Sequence, residues 1–107
     1  MVTVSKDIDA LAKIIVQEYQ PDSIVLFGSQ ARGEAGEDSD IDLLVISDKE
    51  KDTPRPHRGR DLRLKLAKTT KAYDLLILTN AELKRYGNIP QSFSATVMRE
   101  GVVLYGA

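Results

Sequence analysis

Two aspartates one residue apart mark the most chemically loaded stretch of the chain: Asp40-Ile41-Asp42, followed by the apolar run Leu43-Leu44-Val45-Ile46. Side chains at i and i+2 leave the same face of a β-strand, so two carboxylates stand side by side against a hydrophobic segment. Like charges that close repel and resist desolvation. A divalent cation resolves the conflict, because Mg²⁺ takes oxygen ligands and combines one or two carboxylates with waters and phosphate oxygens. The competing reading is a frayed strand start with both carboxylates in water. Asp74 breaks a further apolar strand, Tyr73 to Leu78, near its beginning. If the two strands are neighbours, Asp74 approaches the pair, and three carboxylates on one sheet face form a cradle for two metal ions. Its alternative role is to cap a local turn or pair with Lys71.

Upstream, Gly28-Ser29 ends an apolar run and opens a polar turn. Glycine lets backbone approach a phosphate, and Ser29 offers a hydroxyl and an N–H to its oxygens. Arg32 could grip a phosphate in a bidentate manner, or simply offset the acidic loop around it, which holds Glu34, Glu37, Asp38, Asp40 and Asp42.

The elements that must position these groups follow from periodicity. Ile8, Leu11, Ala12, Ile15 and Tyr19 recur on one helical face, with Ser5 as N-cap and a stop near Gln20 before Pro21. Ile24 to Phe27 is apolar on both sides, as a central strand is. Asp40 to Ile46 reads as a second strand. Ser47 to Gly59, charged and carrying Pro54 and Pro56, reads as a mobile connection. A helix from about Arg60 to Lys68 turns Leu62 and Leu66 inward, a stripe that Leu64 fits poorly. Tyr73 to Leu78 is a third strand, and Thr79 with Glu82 forms a capping box for a helix ending at Gly87. Pro90 to Glu100 reads as a helix and Val102 to Tyr105 as a last strand. This order predicts one α/β (α+β) domain over residues 1–107, with a mixed sheet of about four strands and helices packed against it.

The 107 residues carry 15 Lys+Arg against 16 Asp+Glu, a formal net charge of −1. That balance argues against a generalised nucleic-acid-coating protein. It hides a cancellation, because Arg55 to Lys71 holds seven Lys/Arg and a single acid, Asp61. This run reads as a solvated helix face, or as a contact to triphosphate, an acidic partner or RNA; without aromatics to stack bases, no direct nucleic-acid binding is expected. Cysteine is absent, so disulfides, thiolate metal sites and cysteine nucleophiles are excluded. No apolar run approaches the ~20 residues of a membrane helix, and the N-terminus lacks the apolar core of a signal peptide. A cytoplasmic protein with no membrane association is expected.

Gly28-Ser29-Gln30-Ala31-Arg32-Gly33, ten residues between Ser29 and Asp40, and then Ser39-Asp40-Ile41-Asp42-Leu43 together resemble the signature of the DNA polymerase β-like nucleotidyltransferases. The Ala-Arg-Gly and Ser-Asp additions look most like the minimal nucleotidyltransferase (MNT) antitoxin family. The resemblance runs from the first helix through Asp74 and is only general beyond Thr79. It implies a single small nucleotidyltransferase fold and transfer of AMP from ATP to a hydroxyl, with pyrophosphate leaving. Gly28, Ser29, Arg32 and Ser39 would bind the nucleotide. Asp40, Asp42 and Asp74 would hold two Mg²⁺ ions, and Asp74 would also act as base toward the acceptor. The implied partner is a HEPN-domain toxin, modified on a tyrosine and thereby neutralised. No acceptor domain is expected within these 107 residues, so the acceptor is expected to come from a partner or a second copy. The alternative is a non-catalytic antitoxin that neutralises its partner by forming a complex.

Overall fold

A computed structural model describes residues 6–28, 31, 40–67, 72–87 and 93–106. Helix α1 (Lys6–Tyr19) leads to strand β1 (Ser23–Phe27), then β2 (Ile41–Ile46), a 3₁₀ turn (Arg55–His57) and helix α2 (Arg60–Leu66). Strand β3 (Tyr73–Leu78), helices α3 (Asn80–Gly87) and α4 (Phe93–Glu100), and strand β4 (Val102–Tyr105) complete it. The strands form a mixed sheet in the order β3-β2-β1-β4. β1 is antiparallel to both neighbours, whereas β2 and β3 run parallel, joined through α2 as a parallel pair requires.

Strand alternation divides the core in two. Ile24 and Leu26, Ile41, Leu43 and Val45, and Leu75 and Ile77 face the side covered by α1 and α2. There they meet Ile8, Leu11, Ile15, Leu62 and Leu66, each such burial worth about 1.5–3 kcal/mol. Val25, Leu44, Ile46 and Leu78 face the other side and pack with Val97 of α4 and, less deeply, Leu83 of α3. The helical stripe read from the sequence of α1 is the buried one. Gln20 ends that helix in a left-handed conformation (φ 52°), its N–H donating to the Val16 carbonyl at 3.1 Å. Leu64, the misfit in the α2 stripe, is 69% exposed. Lys68 and residues 90–92, which fall in predicted helices, lie outside the described residues, as does the predicted N-cap Ser5. Among the described residues no helix is long and apolar enough to cross a membrane.

The 47–59 connection is tied to the body rather than loose. Arg58, 4% exposed, donates from Nε to the carbonyls of Thr53 (2.8 Å) and Glu50 (3.1 Å). Its Nη1 reaches the Ile77 carbonyl (3.2 Å) and Glu82 Oε1 (2.6 Å). The capping box predicted for α3 is present and shares that carboxylate: the Thr79 N–H donates to Glu82 Oε1 at 2.8 Å, and the Glu82 N–H to Thr79 Oγ1 at 3.1 Å. Glu50 Oε2 accepts from the Tyr19 hydroxyl (2.6 Å) and the Gly59 N–H (2.7 Å). Burial and the adjacent Glu50 carboxylate push the Tyr19 phenol well above its ordinary range.

The hydrogen-bonded Arg58 guanidinium holds the Glu82 carboxyl at about 2, below its ordinary 4.5. A carboxylate depressed by folding stabilises above its unfolded value, and that contribution fades as pH falls from about 4.5 to about 2. Glu82→Gln is therefore expected to cost about 2 kcal/mol near neutrality by leaving Arg58 buried without its counter-charge. The gap to the unsubstituted protein should narrow through the acid window, which urea unfolding at about pH 7 and about pH 3 checks.

Candidate active site

The parallel pairing of β2 with β3 settles where the aspartates stand. Its register sets Asp42 directly opposite Asp74, and neighbouring strands lie ~4.8 Å apart. On the other side of β2, Asp42 is the register partner of Phe27, the last residue of β1. Because Leu44 and Leu76 face the α3/α4 side, alternation places Asp42 and Asp74 on that same face, each at the head of its row. Asp42 is half-buried and Asp74 exposed.

Gly28 completes the corner. Its backbone is left-handed (φ 75°), and a Cβ there would lie 2.2 Å from Asp42 Oδ2. The conformation favours glycine because it disfavours L side chains, and a Cβ would also displace the Asp42 carboxylate from its present place. The Ala31 N–H closes the turn onto the Gly28 carbonyl at 3.1 Å, and the buried Ala31 joins the α1-side core. Ala31 thereby ties this corner to the core, and the Gly28 backbone itself lies beside the Asp42 carboxylate.

Asp40 is exposed and precedes β2, where the Ile41 N–H already bonds the Ala72 carbonyl at 3.0 Å. Ser29, Arg32 and Ser39, the remaining nucleotide-binding candidates, lie outside the described residues. Among the described residues no three acidic or histidine side chains close into a metal cage. The structure thus supplies a pair of carboxylates in register, with Asp40 two residues upstream. Like charges directly opposite on adjacent strands destabilise a sheet. Hard oxygen donors beside Gly28, which has no side chain, fit Mg²⁺, which keeps several waters and shares itself with substrate phosphates.

The basic run looks different in three dimensions. Arg58 is buried, and Arg63 turns inward so that Nη2 donates to the Leu75 carbonyl at 2.8 Å. Neither is part of a solvated face, and neither points at Asp42. A residue count could not separate these two from Arg60 and Lys65, which line an open cleft of about 530 Å³ with Glu18, Lys49 and Leu64 between α1 and α2. That cleft adjoins the carboxyl end of β2, the end away from Asp42.

The sequence model of the nucleotidyltransferase domain family matches residues 8–104. A Methanocaldococcus jannaschii protein, MJ0604, whose name proposes a protein adenylyltransferase, is 39% identical over 84 residues, spanning 77% of this chain and 76% of that one. A second protein of that organism with the same proposed activity, MJ1379, is 56% identical over 36 residues, so the match spans only 36% of its length and 34% of this chain. A crystal structure from Sulfolobus solfataricus, described as a proposed nucleotidyltransferase, shares the fold (TM-score 0.67, 20% identity, 94% of this chain and 78% of that one). So does a chain of a toxin–antitoxin crystallised with AMP-PNP (TM-score 0.55, 21% identity, 96% of this chain and 75% of that one).

Gly28→Ala should destabilise through both the left-handed backbone, about 1–2 kcal/mol, and displacement of the Asp42 carboxylate. In an Asp42→Ala background only the backbone strain remains. Urea unfolding of the four proteins is expected to give a coupling of about 1 kcal/mol; strict additivity would remove the claimed contact.

Proposed function

The chain belongs to the nucleotidyltransferase domain family, and from that premise we propose that it transfers AMP from ATP to a tyrosine hydroxyl of a partner HEPN-type toxin, acting in the cytoplasm as its antitoxin. The observation that carries this reading is the Asp42–Asp74 register beside Gly28, which brings two carboxylates level on adjacent strands next to a residue without a side chain, a donor set that suits a cation shared with phosphates. The relatives named for protein adenylylation and the toxin–antitoxin neighbour crystallised with AMP-PNP support the choice of nucleotide and of a protein acceptor.

On this reading the Gly28 backbone, Ser29, Arg32 and Ser39 hold the triphosphate, and the missing side chain at Gly28 lets the phosphates approach Asp42. Asp74, exposed on the edge strand, faces the incoming acceptor. The acceptor oxygen attacks the α-phosphorus, its proton passes to the Asp74 carboxylate, and the bond to the bridging oxygen breaks as pyrophosphate leaves. Bound as two ions by Asp40, Asp42 and Asp74, Mg²⁺ supplies a lowered pKa at the acceptor hydroxyl and positive charge for the departing pyrophosphate. The acceptor hydroxyl comes from the partner.

Incubation with α-labelled ATP, Mg²⁺ and a co-expressed HEPN-type partner tests the proposal. Label should reach a partner tyrosine, and Asp42→Asn or Asp74→Asn should lower transfer at least about 10³-fold while the complex still forms. A partner neutralised without label would instead favour inhibition by complex formation alone.

A further inference from the structure

β3 is an edge strand, flanked by β2 on one side only. The Ile41 N–H takes the Ala72 carbonyl and the Ser47 N–H takes the Leu78 carbonyl. In the parallel ladder between them the even-numbered carbonyls of β3 therefore point to β2. The odd-numbered ones, including Leu75 and Ile77, point outward, where an edge strand ordinarily meets water or another chain.

Two arginines occupy that outer edge. Arg63 Nη2 donates to the Leu75 carbonyl at 2.8 Å, and Arg58 Nη1 to the Ile77 carbonyl at 3.2 Å. Arg63 Nε also reaches back to the Arg58 carbonyl at 3.4 Å. Arg58 is locked by Glu82 and by the Glu50 and Thr53 carbonyls, so the nearer clamp is braced by the deeper one. The residue immediately before Leu75 is Asp74, whose own carbonyl turns to β2. Successive carbonyls at Asp74 and Leu75 are thus held from opposite sides, one by the sheet and one by a guanidinium.

From this we infer that Arg63 is a positioning residue for the Asp74 carboxylate, fixing it opposite Asp42 through the β3 backbone without touching substrate. The inference rests on the proposed role of Asp74 as a metal ligand and base. It assigns a task to part of the basic run that charge alone would have sent to phosphate or partner. The planar guanidinium meets the Leu75 and Arg58 carbonyls from two separate nitrogens, whereas lysine would have to meet them from a single ammonium on a flexible stem.

The test compares the native chain with Arg63→Met, Arg63→Lys and the control Arg60→Met, which removes an exposed charge from the same helix. Mn²⁺ alone is titrated while the backbone amides of Asp42, Asp74 and Leu75 are followed by NMR line broadening. Arg63→Met should need about 10-fold more Mn²⁺ to broaden Asp74, the usual scale for loss of a ligand-orienting contact. Arg63→Lys should fall between, and Arg60→Met should match the native chain. With the labelled-ATP assay, Arg63→Met should lower kcat by a similar factor with the KM for ATP unchanged. Equal Mn²⁺ titrations for Arg63→Met and the native chain would overturn the inference, as would an equal loss in Arg60→Met. A native chain whose Asp74 amide never broadens would overturn the metal role of Asp74 itself, and so separates that failure from failure of the clamp. Arg63→Lys, which keeps one bond and the charge, remains informative if Arg63→Met does not fold.

Discussion

The fold depends on one pairing: β2 and β3 side by side, parallel, with Asp42 level with Asp74. Side chains alternate with a period of two, so a slip of one residue would turn Asp74 into the α1-side core and bring Leu75 to the carboxylate face. Apolar burial enforces the register. Leu43, Val45, Leu75 and Ile77 must all meet α1 and α2, and meeting them leaves Asp42 and Asp74 together at the head of the opposite face. Hydrophobic packing therefore sets the position of two charged groups whose mutual repulsion opposes the arrangement. A one-step register error would cost several buried side chains, far more than the repulsion between two carboxylates saves.

The rest of the molecule serves this corner from both ends. At the near end, the Gly28 turn is rooted by Ala31 in the larger core and leaves backbone where any side chain would strike Asp42. At the far end, Arg58 gathers the 47–59 connection, the β3 edge and the first turn of α3 onto one buried guanidinium. Arg63 extends that bracing to within one residue of Asp74. The two arginines also supply donors to an edge that would otherwise offer bare carbonyls to other chains.

Much of this was legible in the amino-acid order because local rules governed it. The α1 stripe, the Thr79/Glu82 capping box and the inward Leu62 and Leu66 follow from helical geometry and appear where periodicity puts them. The misfit of Leu64 was itself informative, since that side chain stands in solvent. The approach of Asp74 to Asp42 could be read only conditionally, because nothing in a linear pattern states which strands are neighbours. The fate of the basic run was not legible. Arg58 and Arg63 differ from Arg60 and Lys65 only in what folds against them, and a charge run carries no mark of burial. The expectation of a mobile 47–59 segment failed for the same reason: its prolines and charges suggested a loose loop, but the anchor is a long-range bond to Ile77 and Glu82.

The central claim is that the Asp42–Asp74 pair and the Gly28 turn form one phosphate-and-cation site. A crystal structure of the chain with Mg²⁺ and a non-hydrolysable ATP analogue tests it most directly. The account predicts a metal about 2.0–2.1 Å from carboxylate oxygens of Asp42 and Asp74, with the triphosphate lying against the Gly28 backbone. A nucleotide seated instead in the cleft between α1 and α2 beside Lys49 and Arg60, or a metal held with Asp74 turned away, would contradict it.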